Sequence, residues 1–404
     1  MRYQKPNSFL YVIAQIVSAA AARFLYRPQF LRNEIKNKKG AFVVIANHQS
    51  MLDFVNLIGA TRRPMHFVIS NSFYNTLPIR GFMRRLGVIP KQQFQTATRD
   101  LKTMKTAVER GQPLVIYPAG LMCEDGLSTP IPVATYKFLK WLGVDVYIAK
   151  TSGAYFVMPK WSKKIRRGRT YMDIYQLFSA EELKTMDLEM IRQKTDAVML
   201  FDAYREQEQL RIPYRNGANL QGLEHVLYQC PHCKQEFTVA TAGKKIFCQE
   251  CGFTHESDDY GFLHQTGNVG QEIRHISDWS RMIYQDMFQK TESGQYAPLS
   301  AKVSISVINR KKKKFLPAGQ GVLTLTKETF RLQGTVQDQM LDIEVTAGTF
   351  PSLPFSPGKY LEFQHGDQIY RCMPEDGRVV MKFINLIKVL YEKTWREEKK
   401  SQPV

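Results

Sequence analysis

Cysteine is scarce in this chain: there are six in 404 residues. Four fall in two Cys-x-x-Cys pairs, and Cys123 and Cys372 stand alone. That distribution is not a disulfide framework. It excludes a disulfide-stapled secreted domain and favours a reducing compartment and a metal site. Acid is also short, with 37 Asp and Glu against 56 Lys and Arg, a formal charge of +19. Such a charge attracts polyanions without choosing among nucleic acid, anionic membrane and acidic substrate. No internal repeat and no long low-complexity tract is present, which excludes repeat arrays. Long apolar runs are few, and the one at the N-terminus is short for a membrane span. Phe9 to Ala22 is apolar except for Gln15 and Ser18, but it is shorter than the roughly 20 residues a spanning helix needs. Arg2 and Lys5 before it and Ala19 to Ala22 behind it are signal-peptide features. The metal-type cysteines argue for the cytosol instead. An interfacial or partly embedded helix suits the stretch better, with Arg23, Arg27, Arg32 and Lys39 near lipid headgroups.

What is present is the composition of a folded protein, 44% hydrophobic and 12% aromatic, over a length that predicts two or three domains. The most informative stretch is Ala41 to Gly59, AFVVIANHQSMLDFVNLIG. Phe42 to Ala46 is apolar and β-branched and reads as a buried strand. Ser50 opens a helical pattern with Leu52, Val55, Leu57 and Ile58 on its apolar side. On one continuous helix His48 and Asp53 would point about 140° apart. A turn between strand and helix lets them fold back towards each other. A carboxylate so placed holds the imidazole in one tautomer and stabilises the imidazolium when His48 takes a proton. The same residues also read as a helix N-terminus, with Ser50 as cap and Asp53 in the first turn, and His48 as an ordinary loop histidine.

From Ala41 to about Leu210 strand and helix patterns alternate. Met65–Ser70, Leu114–Tyr117, Val144–Lys150 and Tyr171–Phe178 are strand-like. Thr96–Arg110 and Ala134–Leu142 are helical, ended by Gly111 and Gly143. Ser179-x-x-Glu182 is a capping box opening a helical region towards Tyr204. The alternation implies an α/β domain with a mostly parallel or mixed sheet. Pro213 to Gly222 reads as its exit.

Asn47-His48-x-x-x-x-Asp53 after an apolar strand resembles the first block of the glycerolipid acyltransferase family typified by 1-acylglycerol-3-phosphate acyltransferase. Gly81 to Lys91, GFMRRLGVIPK, resembles the second block. Leu114 to Gly126, LVIYPAGLMCEDG, resembles the third, with Tyr117, Pro118 and Gly120 matching. The resemblance implies that His48 and Asp53 are catalytic, and that Asn47, Arg84, Arg85, Lys91, Pro118 and Gly120 serve substrate binding. The basic residues also fit solvated charges beside a membrane. Two departures bear on the acceptor. Ala119 replaces the family's glutamate, and Leu121 and Met122 fill its polar and arginine positions. Glu124 and Asp125 are candidate replacements, but as loop acids they are expected to be solvated. Lys160 to Arg169 around Trp161 suits an anionic surface, with the indole as an interfacial anchor, or a solvated basic loop.

Cys230-Pro-His-Cys233 and Cys248-Gln-Glu-Cys251 are separated by 14 residues. Two thiolate pairs on two knuckles give the closed tetrahedron of a structural Zn²⁺, or iron in its place. The order of the blocks and this ribbon is similar to a bacterial branch of the family. Further on, Gly321–Gly334 and Tyr360–Met373 alternate about turns, and Val380, Phe383, Ile384, Ile387, Leu390 and Tyr391 form a helical stripe. This part resembles a pleckstrin-homology-like barrel, with Arg310 to Lys314 as a basic hairpin tip.

The expected layout is therefore N-terminal interfacial helices (1–40), an α/β acyltransferase domain with a mixed sheet and flanking helices (41–222), a small zinc ribbon (223–262), a linker helix (263–298) and an α+β pleckstrin-homology-like barrel (299–404). The implied activity is transfer of an acyl group from a thioester, acyl-CoA or acyl carrier protein, to a lipid acceptor hydroxyl. The expected partners are the donor, the acceptor and an anionic membrane, peripherally or monotopically on the cytoplasmic face, with no nucleic acid. Two rival readings are an inactive lipid-binding relative, suggested by Ala119, and a basic zinc-ribbon nucleic-acid binder.

Overall fold

The computed structural model describes residues 3–51, 53–93, 97–216 and 219–401, with side chains described to residue 394. Leu52 and Thr96 of the expected helices, and residues 217 and 218 of the expected domain exit, lie outside the described residues. The chain forms two compact units: Met1–Lys160 with Lys164–Gly217 and Asp259–Gly261, and Trp161–Lys163 with Ala218–Asp258 and Phe262–Val404.

The first unit opens with helix α1 (Ser8–Leu25), capped by Asn7, whose side chain accepts from Leu10 N at 3.0 Å. Strand β1 (Pro28–Asn33) follows, so the stretch 1–40 holds one helix and one strand rather than helices alone. Then come β2 (Val43–Ala46), α2 (Asp53–Leu57), β3 (His66–Ser70), α3 (Asn71–Thr76), α4 (Arg80–Arg85) and β4 (Ile89–Lys91). The rest of the unit is α5 (Thr98–Glu109), β5 (Leu114–Ile116), α6 (Val133–Leu142), β6 (Val146–Ser152), α7 (Ala154–Val157), β7 (Thr170–Phe178), α8 (Ala180–Thr185), α9 (Leu188–Met199) and α10 (Ala203–Leu210). Ser179 and Glu182 form the expected capping box at α8. The helical region beyond it is three helices rather than one.

Seven strands lie in the order β1-β7-β6-β2-β5-β3-β4. All pairs are parallel except β6 with β7, so the sheet is mixed. The two-residue period of β2 explains its wholly apolar sequence. Val43 and Ile45 enter a core with Met104 of α5 and Leu139 of α6. Phe42, Val44 and Ala46 enter the opposite core with Tyr11 of α1 and Leu57 of α2. A central parallel strand covered on both faces needs apolar residues at every position. Because β2 lies between β5 and β6, the chain leaves it in one direction and later returns on its other side. In open α/β sheets the crevice beyond the strand ends at such a point is where ligands bind.

Within α1, Gln15 donates to Ile58 O at 3.1 Å and Thr61 O at 2.6 Å, which docks one helix face. The other face leaves Phe9, Val12, Ile13, Ile16 and Val17 exposed.

The second unit begins with a four-stranded antiparallel sheet: β8 (Val239–Ala242), β9 (Lys245–Cys248), β10 (Thr254–Ser257) and β11 (Leu263–Gln265), in the order β11-β10-β9-β8. Helix α11 (Ile276–Glu292) follows, with Trp279 Nε1 donating to Gln229 O at 2.9 Å. Seven more strands run from β12 (Leu299–Asn309) and β13 (Lys314–Leu325) through β14 (Thr329–Val336), β15 (Gln339–Thr346), β16 (Phe355–Ser356) and β17 (Tyr360–His365) to β18 (Gln368–Pro374). Their order is β15-β14-β13-β12-β18-β17-β16, antiparallel throughout. Helix α12 (Val379–Ser401) ends the chain and buries Val380, Phe383, Ile384, Ile387 and Leu390.

Candidate active site

Beyond the end of β2 the backbone is held by its own polar side chains. Asn47, buried, donates Nδ2 to Thr151 O and accepts Thr151 N on Oδ1, both at 2.7 Å. It thereby clamps β2 to β6, and both ends of its amide are engaged. Gln49 accepts from Tyr155 N at 3.2 Å, which ties the turn to α7. Asp53 is 1% exposed, and its Oδ2 accepts Gln49 N at 2.7 Å and Ser50 N at 2.9 Å. The same oxygen lies 3.0 Å from His48 Nδ1. Among the described residues the Ser50 side chain caps no amide of α2. Its Oγ lies 2.9 Å from the Tyr26 hydroxyl instead, and the Asp53 carboxylate serves the turn amides.

This geometry fixes the imidazole by one nitrogen. Nδ1–H faces a carboxylate, so the neutral ring keeps Nε2 as its acceptor. The His48 side chain is 24% exposed, and Nε2 has no hydrogen-bond partner among the described residues. An aligned, partly exposed base with a free acceptor nitrogen is what proton abstraction from a hydroxyl requires.

The loop after β5 closes one side of the turn. Cys123 N donates to His48 O at 3.1 Å, and the Tyr117 ring lies over the imidazole with centroids 4.5 Å apart. Gly120 turns the loop at φ +70°, left-handed backbone that glycine adopts without a Cβ penalty. Its N–H bonds Tyr117 O at 2.9 Å and its carbonyl accepts Gln93 Nε2 at 2.5 Å. Pro118 and Ala119 are half-buried beside it, and Leu121 is buried. Lys91 ends β4, half-buried, with Nζ donating to Gln92 O at 3.0 Å. Burial lowers its pKa, partly offset by Asp100. Arg84 and Arg85 are exposed in the last turn of α4, and neither side chain makes an ion pair or hydrogen bond among the described residues.

Two expectations are overturned here. Glu124 and Asp125 are buried, not solvated. Asp125 Oδ1 accepts Leu127 N at 3.0 Å, and both acids, with Lys160, lie within electrostatic range of the buried Cys123 thiol. Trp161 is also buried, as is Arg166, so neither faces a membrane. Only Lys163, Lys164, Arg167 and Arg169 of that cluster remain exposed cations. Sequence periodicity carries no signal for such burial, because the covering residues are remote in the chain.

The four cysteines of the second unit do converge. The Sγ atoms of Cys230, Cys233, Cys248 and Cys251 lie within 4.8 Å of one another. Cys230–Cys251 and Cys233–Cys248 are each 3.7 Å apart. A tetrahedron with Zn–S bonds of about 2.3 Å has edges of about 3.8 Å, so the cluster fits one metal ion with no position left for substrate.

Three comparisons bear on identity. Residues 27–151 match the family model described as Acyltransferase. Among solved structures, the chain is similar to the crystal structure of the 1-acyl-sn-glycerophosphate (LPA) acyltransferase PlsC from Thermotoga maritima. The TM-score is 0.41 and the identity 18%, over 50% of this chain and 80% of that one. No curated protein matches the chain.

Proposed function

We propose, from the premise that residues 27–151 match the Acyltransferase family model and that the sequence blocks resemble the glycerolipid acyltransferases, that this chain is a membrane-surface O-acyltransferase. The observation that carries the reading is the His48–Asp53 pair beyond the end of β2, with Nε2 left as acceptor. The donor is an acyl thioester, acyl-CoA or acyl carrier protein, and the acceptor is a glycerolipid-type hydroxyl. His48 Nε2 takes the hydroxyl proton as the oxygen attacks the thioester carbonyl, and Asp53 orients the ring and balances the imidazolium. Collapse of the tetrahedral intermediate breaks the C–S bond, and the proton leaves with the thiolate. No enzyme nucleophile is needed.

Arg84, Arg85 and Lys91 are proposed to hold substrate phosphate, with Pro118 and Gly120 shaping the wall of the crevice. Asn47 contributes from behind by fixing the strand end. The exposed apolar face of α1, with Arg23 and Arg27 at its end, supports attachment to an anionic bilayer on the cytoplasmic face, peripherally or monotopically. The cysteine cluster is proposed to hold a structural zinc, and the seven antiparallel strands with α12 a pleckstrin-homology-like barrel. Ala119 favours one rival, an inactive lipid-binding relative. The complete His48–Asp53 geometry favours the enzyme.

The test is incubation of the protein with labelled acyl thioesters and a panel of lyso-lipids, followed by mass spectrometry. Labelled diacyl product is expected from wild type and not from His48→Ala. Absence of product with every donor and acceptor would leave the inactive reading in its place.

A further inference from the structure

We propose that Tyr117 is a second positioning residue for His48, acting through its ring on the imidazole and through its hydroxyl on the Asp53 carboxylate. This deepens the reading of His48 as the proton acceptor and rests on it.

Tyr117 follows β5 directly, and β5 lies beside β2 with Ile116 opposite Ile45. The register thus carries Tyr117 to the point where His48 leaves the sheet. The two rings are 4.5 Å apart at 33°. That is within the roughly 6 Å over which an aromatic face stabilises a cation, so the ring favours the imidazolium.

The hydroxyl adds something a phenylalanine would not. It is buried and has no hydrogen-bond partner among the described residues. The Asp53 carboxylate shows the matching asymmetry. Oδ2 serves His48, Gln49 and Ser50, while the buried Oδ1 has no partner among the described residues. Burial first, then the nearby Asp53 and Tyr26, push the Tyr117 phenol well above its usual range, so it stays a neutral donor. A neutral hydroxyl within electrostatic range of a carboxylate turns its proton towards that charge, and in a buried site this dipole is weakly screened. It stabilises the Asp53 anion and moderates the pull of Asp53 on the His48 proton. Ring and hydroxyl therefore act in opposite directions on the imidazolium.

The other titratable groups packed on this turn are Tyr26, paired with Ser50, and Cys123 with Glu124, Asp125 and Lys160 around its thiol. Tyr26 lies within electrostatic range of Tyr117, so the test reads the His48 resonance itself.

The experiment is a pH titration of histidine Cε1 resonances in the full-length protein, with His48 assigned by its loss in His48→Ala. In Tyr117→Phe the ring remains and the dipole is lost, so the His48 titration moves to higher pH, by about half a unit or more. In Tyr117→Leu the ring is lost too, and the titration falls below that of Tyr117→Phe. The acid limb of kcat/KM moves in the same direction as the resonance. An unchanged or lowered His48 titration in Tyr117→Phe overturns the proposal and leaves Tyr117 a packing residue. The resonance does not depend on turnover. A shifted titration in a protein that acylates nothing would sustain Tyr117 and defeat the transferase reading.

Discussion

One oxygen of Asp53 holds both the imidazole of His48 and the turn between them. Oδ2 lies 3.0 Å from His48 Nδ1 and accepts the backbone N–H of Gln49 and Ser50. Charge and turn geometry can therefore be separated by substitution. Asp53→Asn keeps an acceptor for the turn but removes the charge that balances the imidazolium. We expect kcat to fall by about 10²- to 10⁴-fold with the melting temperature nearly unchanged. Asp53→Ala also orphans two buried amides, each costing about 1–3 kcal/mol, and should lower the melting temperature as well. Equal thermal stability of the two variants would refute this double role. His48→Ala should lose acyl transfer while remaining folded and metal-loaded.

Serine at Cys230 or Cys248 should release the metal and expose the region around β8 to β11 to protease, because a closed four-thiolate site supports folding rather than chemistry. Metal content and limited proteolysis follow this. A metal-free protein that stayed protease-resistant and lost only turnover would identify the metal as catalytic.

Ile16→Asp and Val17→Asp place charge on the exposed face of α1 without disturbing the docked Gln15. Vesicle binding by the variants should drop at least tenfold in a sedimentation assay, since a charge replaces buried apolar surface. Wild-type binding should rise with anionic lipid and fall with salt. Duplex DNA at equal phosphate concentration should not strip the protein from vesicles. Efficient stripping would favour nucleic acid as the partner.

Ala119, Leu121 and Met122 offer no charged hydrogen bonds where the family resemblance places a glutamate and an arginine. An apolar wall leaves a phosphate poorly solvated. We expect lower kcat/KM for lysophosphatidate than for neutral or zwitterionic lyso-lipids. A clear preference for lysophosphatidate would show that Arg84, Arg85 or Lys91 supplies the phosphate site and that Ala119 matters little.

His66 is buried, its Nδ1 is 2.6 Å from Gly87 O, and desolvation lowers its pKa below the usual 6.5. The unfolded chain takes up this proton first as pH falls. The stability is thus complete above about pH 6.5 and is lost as pH falls towards the folded-state value. His66→Asn retains a donor for Gly87 O and removes the titration. Melting temperatures at pH 7.5 and 5.5 should fall less with acid in the variant than in wild type. An identical fall would assign the acid sensitivity to other groups.

The sequence by itself determined features whose causes are local. Phe42 to Ala46 is apolar at every position because a central parallel strand is covered on both faces. His48 and Asp53 sit a turn apart, so one short loop brings them together. Cys-x-x-Cys is a knuckle by its spacing alone, and Ser179 with Glu182 caps a helix from within four residues. The tertiary structure decided what depends on remote neighbours. Residues 28–33 carry exposed charge and no strong strand pattern, yet they pair along β7 as an edge strand. Strand β7 runs antiparallel to β6 within an otherwise parallel sheet. Glu124, Asp125, Trp161 and Arg166 have the residue types of solvated or interfacial positions and are buried all the same. Tyr117 reaches His48 only because strand register sets β5 beside β2, a pairing between segments about seventy residues apart that no local pattern encodes.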